Sequence, residues 1–171
     1  MICLAPKEKK VYKTKTINTM HKIDDIDRKI IDCLREDGRT SFRELSKKVG
    51  VKEGTIRLRF NNLMKEKIIL GFTSTVDERA IDLRMHALLF IKTKLGKAEE
   101  VAKKLAQMEE VRFCAITTGL CDIIIEMFTG DSETFSKFIN KKIASIEGVL
   151  EAQTNVVLKT YKVNYIKSQN E

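Results

Sequence analysis

The spacing of apolar residues divides the chain in two, with a helical period before about residue 67 and a strand period after about residue 85. Over 24–36, Ile26, Ile30, Ile31 and Leu34 recur at helical spacing. Asp24 and Asp25 stand where they cap that helix and meet the positive end of its dipole. Asp37-Gly38 then breaks the pattern, and Gly38 suits the left-handed position that often ends a helix. Ser41-Phe42-Arg43-Glu44 has the form of a capping box, so a short second helix is predicted, with Leu45 and Val49 inward and a stop at Gly50-Val51. A third helix is predicted from Glu53 to Glu66. Ile56, Phe60 and Leu63 form its inner stripe, and Gly54, Leu58 and Asn61 lie opposite, flanked by Thr55, Asn62 and Arg57. A short helix, a glycine turn and an amphipathic helix with a polar outer face make a helix-turn-helix, predicted over 23–66 and winged-helix-like in plan.

Residues 67–84 read as a connector, with Ile68, Leu70 and Phe72 alternating like a short strand. Beyond it, strands are predicted near 85–94, 111–118, 121–128 and 149–163, and helices near 97–108 and 131–146. That order, βαββαβ, is the ferredoxin-like plan, and the whole chain is of the α+β class. The first of these helices aligns Ala98, Val101, Ala102, Leu105 and Met108; the second aligns Phe135, Phe138, Ile139, Ile143 and Ile146. Two strands are apolar on both sides. Leu88 and Phe90 oppose Ala87, Leu89 and Ile91, while Ile124 and Phe128 oppose Ile123, Ile125 and Met127. In this plan both helices cover one sheet face, so the other needs a partner, and self-association is the economical answer. The domain is expected over 85–163, with 164–171 as a tail.

Charge sharpens the picture of the N-terminal third. Net charge is +8, and its placement is uneven: 1–22 hold six lysines against one glutamate, 23–37 are net acidic, and 38–66 carry eight basic against three acidic residues. Two basic blocks around an acidic helix are what a polyanion-binding module shows, although a three-helix bundle with a solvated basic face has the same pattern. Residues 1–22 form a basic extension open to three readings: an arm on DNA phosphates, a solvated tail, or sequence ahead of a conventional start at Met20.

Other functions find little support. Cys3, Cys33, Cys114 and Cys121 match no zinc spacing and read as small hydrophobes with free thiols, so no metal and no cofactor is expected. No run approaches the roughly 18 apolar residues of a membrane span, the first twenty residues lack a signal-peptide h-region, and a cytoplasmic protein is expected. No phosphate loop, and no nucleophile placed near a histidine, speaks for an enzyme; His86 sits mid-strand as a structural residue.

Ile23-Asp24-Asp25-Ile26-Asp27-Arg28-Lys29-Ile30-Ile31, then Asp37-Gly38-Arg39-Thr40-Ser41, resembles the opening of the Lrp/AsnC (leucine-responsive, feast/famine) regulators. The likeness runs on through Glu44-Leu45-Ser46-Lys47-Lys48-Val49-Gly50-Val51 and Thr55-Ile56-Arg57-Leu58-Arg59-Phe60, and ends at Ile68-Ile69-Leu70-Gly71-Phe72. Thr117-Thr118-Gly119-Leu120-Cys121-Asp122, with Val111, Asp131, Phe135, Phe138, Ile146-Glu147-Gly148-Val149 and Thr154, resembles the family's ligand-sensing RAM domain. The resemblance implies a transcription regulator that binds double-stranded DNA. It also implies homodimers that gather into octamers and bind an amino-acid effector where dimers meet. Three positions depart from the family pattern: Lys52 stands at the usual Ser cap, Lys67 at the usual Gly, and Leu58 where a basic or polar residue is common. An architectural DNA-coating protein with little sequence preference is the alternative.

The DNA-facing set expected from these readings is Ser41, Lys47, Lys52, Glu53, Gly54, Thr55, Arg57, Leu58, Arg59, Asn61 and Asn62. Arginines donate to phosphate or bidentately to guanine, asparagines pair with adenine, and leucine touches a thymine methyl. Lys47, Lys48 and Lys52 suit phosphates, which fix register without reading sequence. The expected effector set is Gly119, Leu120, Cys121, Asp122 and Thr154. Gly119 lets backbone donors approach a carboxylate, and Asp122 accepts from an ammonium group.

Overall fold

The computed structural model describes residues 23–161, which form two compact units, 23–75 and 76–161. The basic extension, the tail and residues 162–163 of the predicted final strand lie outside the described residues; 157–161, also predicted as strand, are not one, and the strand ends at Val156.

The first unit holds α1 (Asp25–Glu36), α2 (Phe42–Val49) and α3 (Glu53–Lys65). Each of the first two starts in a reciprocal cap. The Asp24 carboxylate accepts from the Asp27 N–H at 2.9 Å while the Asp24 N–H donates back to Asp27 at 3.3 Å. The predicted box at Ser41 is present, with Ser41 N–H to Glu44 Oε2 at 3.0 Å and Glu44 N–H to Ser41 Oγ at 3.2 Å. α3 starts at Lys52, whose side chain makes no cap bond. Ile30, Leu45, Ile56 and Leu63 are fully buried between the helices, with Val49 beside them. Each such side chain stabilises the fold by about 1.5–3 kcal/mol relative to exposure. That burial holds the short α2, because isolated helices under about 12 residues are marginal in water.

Two local expectations change. Gly38 does not adopt a left-handed φ; its missing side chain makes room for the Phe72 ring, whose Cδ1 lies 3.0 Å from where a Cβ would stand. The short strand predicted around Ile68, Leu70 and Phe72 is a turn. After α3 the N–H groups of Ile68 and Ile69 both donate to Leu63 O, at 2.9 and 3.1 Å, and both side chains pack on the helical core. Two consecutive residues facing one core cannot be a pleated strand. No strand occurs among the described residues before residue 85, so the helix-turn-helix has no strand-built wing there.

Lys67 makes that turn in the left-handed region, at φ 58°. A side chain there costs about 1–2 kcal/mol, and a glycine gives back about 0.4–1 kcal/mol through the freer unfolded chain. Lys67→Gly is therefore expected to raise stability by up to about 1 kcal/mol in urea unfolding, and Lys67→Val to lower it; equal midpoints for all three chains would show the turn to be unstrained.

The second unit opens with a 3₁₀ turn, Glu78–Ile81, and continues through β1 (Met85–Thr93), α4 (Ala98–Leu105), β2 (Val111–Ile116), β3 (Ile123–Thr129), α5 (Ser132–Lys137) and β4 (Val149–Val156). The strands form one antiparallel sheet in the order β2-β3-β1-β4. The predicted helix over 131–146 is α5 followed by a π-helical stretch, Phe138–Ile143, whose wide turn leaves Phe138 and Ile143 both buried. The predicted third strand starts at Ile123 rather than residue 121, because 117–122 form a turn.

Register gives the sheet one wholly buried apolar face and a second on which apolar and polar residues alternate. Ala87, Leu89, Ile91, Ile123, Ile125 and Met127 are buried with Val101, Leu105, Phe138 and Ile143 of the helical layer. The other side pairs Leu88 with Glu126, Phe90 with Ile124 and His86 with Phe128, flanked by Phe113 on β2 and by Gln153 and Asn155 on β4. His86 Nε2 meets Glu126 Oε1 at 2.8 Å, and its ring stacks on Phe128 at 4.3 Å. No helix among the described residues is long and apolar enough to cross a membrane.

Candidate nucleic-acid interface and effector turn

Rotation of α3 decides which side chains it offers. At about 100° per residue, Gly54, Leu58, Asn61 and Lys65 fall on one stripe opposite the buried Ile56 and Leu63. A Cβ at Gly54 would meet nothing within 4 Å, and Leu58 is 64% exposed. Thr55 and Asn62 lie half-buried on the flank. Lys47, Lys48 and Lys52 are exposed on α2 and the turn between the helices. Ser41 is occupied in its capping box, its hydroxyl donating to Glu44 Oε2 at 2.9 Å.

The two arginines take different places. Arg57 is 59% exposed, donates to Glu53 at 3.1 Å and lies over the Phe42 ring at 4.8 Å. A surface i,i+4 pair contributes only about 0.3–0.5 kcal/mol, so Arg57 is readily released to a stronger acceptor. Arg59 is only 27% exposed and donates to Asp24 at 2.6 Å and to the 1%-exposed Asp27 at 3.0 Å. It joins α3 to the cap of α1, so the structure brings it to that cap and not to the outer stripe. Asp24, Asp27 and Phe42 were missing from the expected set, because the contacts that give them a role span many residues of sequence.

The Asp27 N–H, together with the Arg59 guanidinium, holds the Asp24 carboxyl below its ordinary value of 3.8. A carboxyl depressed in the folded state contributes stability that is complete above the unfolded value and is lost as pH falls through the folded one. Stability of the helical unit is therefore expected to drop below about pH 4, and Asp24→Asn to flatten that drop in acid unfolding followed by circular dichroism. Arg59→Ala is expected to lower the urea midpoint and Arg59→Lys to restore part of it; unchanged midpoints would refute the latch.

The effector residues sit at the end of the sheet where β1 finishes and β3 begins. Asp122 N–H donates to Ile91 O at 3.0 Å and Asp122 O accepts from Thr117 N–H at 2.8 Å, closing the turn between them. Gly119 takes φ +117°, a backbone state that side chains rarely adopt. Leu120 is 95% exposed, whereas Cys121 is buried with its Sγ 3.5 Å from the Thr117 hydroxyl. Asp122 Oδ2 accepts from both the N–H and the hydroxyl of Thr93, at 2.7 and 3.0 Å, and these bonds hold its carboxyl below the ordinary range. Thr93 went unnoticed in the sequence. Thr154 lies opposite Leu89 on β4, with β1 between it and β3, so one chain does not bring it to the turn. Among the described residues no group of three His, Cys, Asp or Glu can hold a metal ion.

A short capped helix, a turn and an exposed second helix, followed in the chain by an α/β sheet unit with a glycine turn, are the architecture of a helix-turn-helix protein with a second domain. The AsnC-type helix-turn-helix model matches residues 23–64 and the Lrp/AsnC ligand-binding domain model matches 86–166. Over 140 residues the chain is 39% identical to the HTH-type transcriptional regulator FL11 of Pyrococcus furiosus, covering 82% of this chain and 92% of that one. It is 33% identical over 140 residues to the HTH-type transcriptional regulator Ptr1 of Methanocaldococcus jannaschii, covering 82% and 95%. Among solved structures, the regulator NMB0573 of Neisseria meningitidis in complex with L-Met superposes with a TM-score of 0.76 at 28% identity, covering 82% of this chain and 92% of that one. Escherichia coli AsnC superposes at 0.74 and 25% identity, covering 83% and 98%. The chain belongs to the Lrp/AsnC family of transcriptional regulators, and that family consists of DNA-binding regulators, not enzymes.

Proposed function

We propose that the chain reads a specific operator by placing α3 in the major groove, that it assembles through the uncovered face of its sheet, and that an amino acid tunes it. The observation that carries the first part is the unobstructed outer stripe of α3. A groove about 12 Å wide accepts such a helix. Lys47, Lys48 and Lys52 lie exposed alongside and suit the phosphates. The regulator acts in the cytoplasm, with the DNA it controls. Specific duplexes selected from a random library are expected to bind orders of magnitude more tightly than random duplexes at equal salt. Equal affinities would point to the DNA-coating alternative.

Assembly rests on Leu88, Phe90, Ile124, Phe128 and Phe113, which share the sheet face that the helices leave uncovered. A second copy, turned about a two-fold axis, covers it and pairs two helix-turn-helix units on two half-sites. Further contacts between dimers make the octamer. Phe90→Asp is expected to convert the dimer to a monomer in sedimentation equilibrium and to weaken operator binding; an intact dimer would place the interface elsewhere.

The effector site proposed is the turn Gly119–Asp122, completed by Thr154 of another copy. The L-Met complex of the Neisseria regulator supports an amino acid as ligand. Asp122 is kept ionised by Thr93, and its Oδ1 is left to an α-ammonium group.

A further inference from the structure

We infer that Leu58 and Asn61 are the residues that read sequence, and that the base pairs they read are A·T, with the two arginines of α3 outside the readout. The inference rests on the reading that α3 faces DNA and adds which bases it recognises.

The arginines are the side chains that ordinarily bond guanine, and here geometry assigns them elsewhere. Arg59 points to the cap of α1, held by two carboxylates of which Asp27 is buried. Releasing it for a base gives up charged hydrogen bonds to two carboxylates at once. Arg57 is free to leave Glu53, but it lies on the α2 side of the helix, stacked over Phe42. From there its guanidinium is placed for the phosphates beside α2, together with Lys47 and Lys48.

The outermost stripe is Gly54, Leu58, Asn61 and Lys65. Gly54 presents bare backbone at the start of the helix, which lets the neighbouring turn approach the bases closely. One turn on, Leu58 projects an aliphatic group that serves no core, since Ile56 and Leu63 fill that role on the opposite face. An exposed leucine on a polar stripe has one complement in the major groove, the C5-methyl group of thymine. Asn61, three residues further on the same stripe, is exposed and makes no side-chain hydrogen bond among the described residues. Its carboxamide matches the N6 donor and N7 acceptor of adenine. A leucine cannot satisfy the polar edge of a G·C pair and would leave it desolvated, so the same residue disfavours G·C at that step.

The test uses the full chain and a duplex selected from a random library, in which single thymines are replaced by deoxyuridine and single adenines by 7-deazaadenine. These changes remove one methyl group or one N7 acceptor and nothing else. Wild type is expected to lose about fourfold in affinity at the critical thymine, the worth of one buried methyl. It is expected to lose on the order of tenfold at the critical adenine. Leu58→Ala should bind thymine and deoxyuridine duplexes equally, and Asn61→Ala should become indifferent to 7-deazaadenine. Arg57→Ala should weaken specific and random duplexes by the same factor.

A selected motif whose thymines all tolerate deoxyuridine, or a guanine preference that disappears with Arg57→Ala, overturns the inference and leaves the operator-binding reading intact. A library that yields no motif overturns that reading and this one with it.

Discussion

One charged contact, Arg59 against Asp24 and Asp27, ties α3 to the start of α1 and orients the helix whose outer stripe carries Leu58. Ile56 and Leu63 are fully buried on the inner stripe of α3. The Arg59 guanidinium, shared between an exposed and a buried carboxylate, adds a directional tie to that packing. Those carboxylates are also the two halves of the α1 capping box, so a single set of charged hydrogen bonds ends one helix and orients another. Even a modest roll would exchange Leu58 for a flanking residue at the apex of the stripe.

In the second unit the corresponding constraint is the unequal cover of the sheet. Both helices pack on the face built by Leu89, Ile91, Ile125 and Met127, which leaves a second apolar face with a polar margin on β4. The half-buried His86–Glu126 pair on that face fits association better than aggregation. A partner has to present matching polar groups to satisfy it, and a second copy of the same surface is a natural source of them.

The sequence made the fold legible wherever contacts are local. Helical periods, the Ser41 box and the two-sided apolar strands are patterns within a dozen residues, and they reappear at almost the predicted boundaries. The failures share a different origin. Ile68 and Ile69 look like part of an alternation until a turn over Leu63 O sends both to the core, which depends on the left-handed φ of Lys67. Gly38 looks like a helix stop, yet its purpose is contact with Phe72, far along the chain. The candidate sites show the same division. Their residue types were visible, but Arg59 and Asp122 have partners 32 and 29 residues away that occupy part or all of their bonding capacity.

This occupancy changes what each site can do. Arg59, committed to the cap of α1, is withdrawn from the outer stripe of α3, which leaves Leu58 and Asn61 at its apex. Asp122 is held by the N–H and hydroxyl of Thr93, which fix the orientation of its carboxylate at the turn. In both cases a long-range hydrogen bond fixes a charged group before any partner arrives, which reduces the ordering that binding must supply. The two sites differ in what remains open. The α3 stripe is complete within one chain, whereas the turn at Gly119–Asp122 and Thr154 lie on different strands, with β1 between β3 and β4.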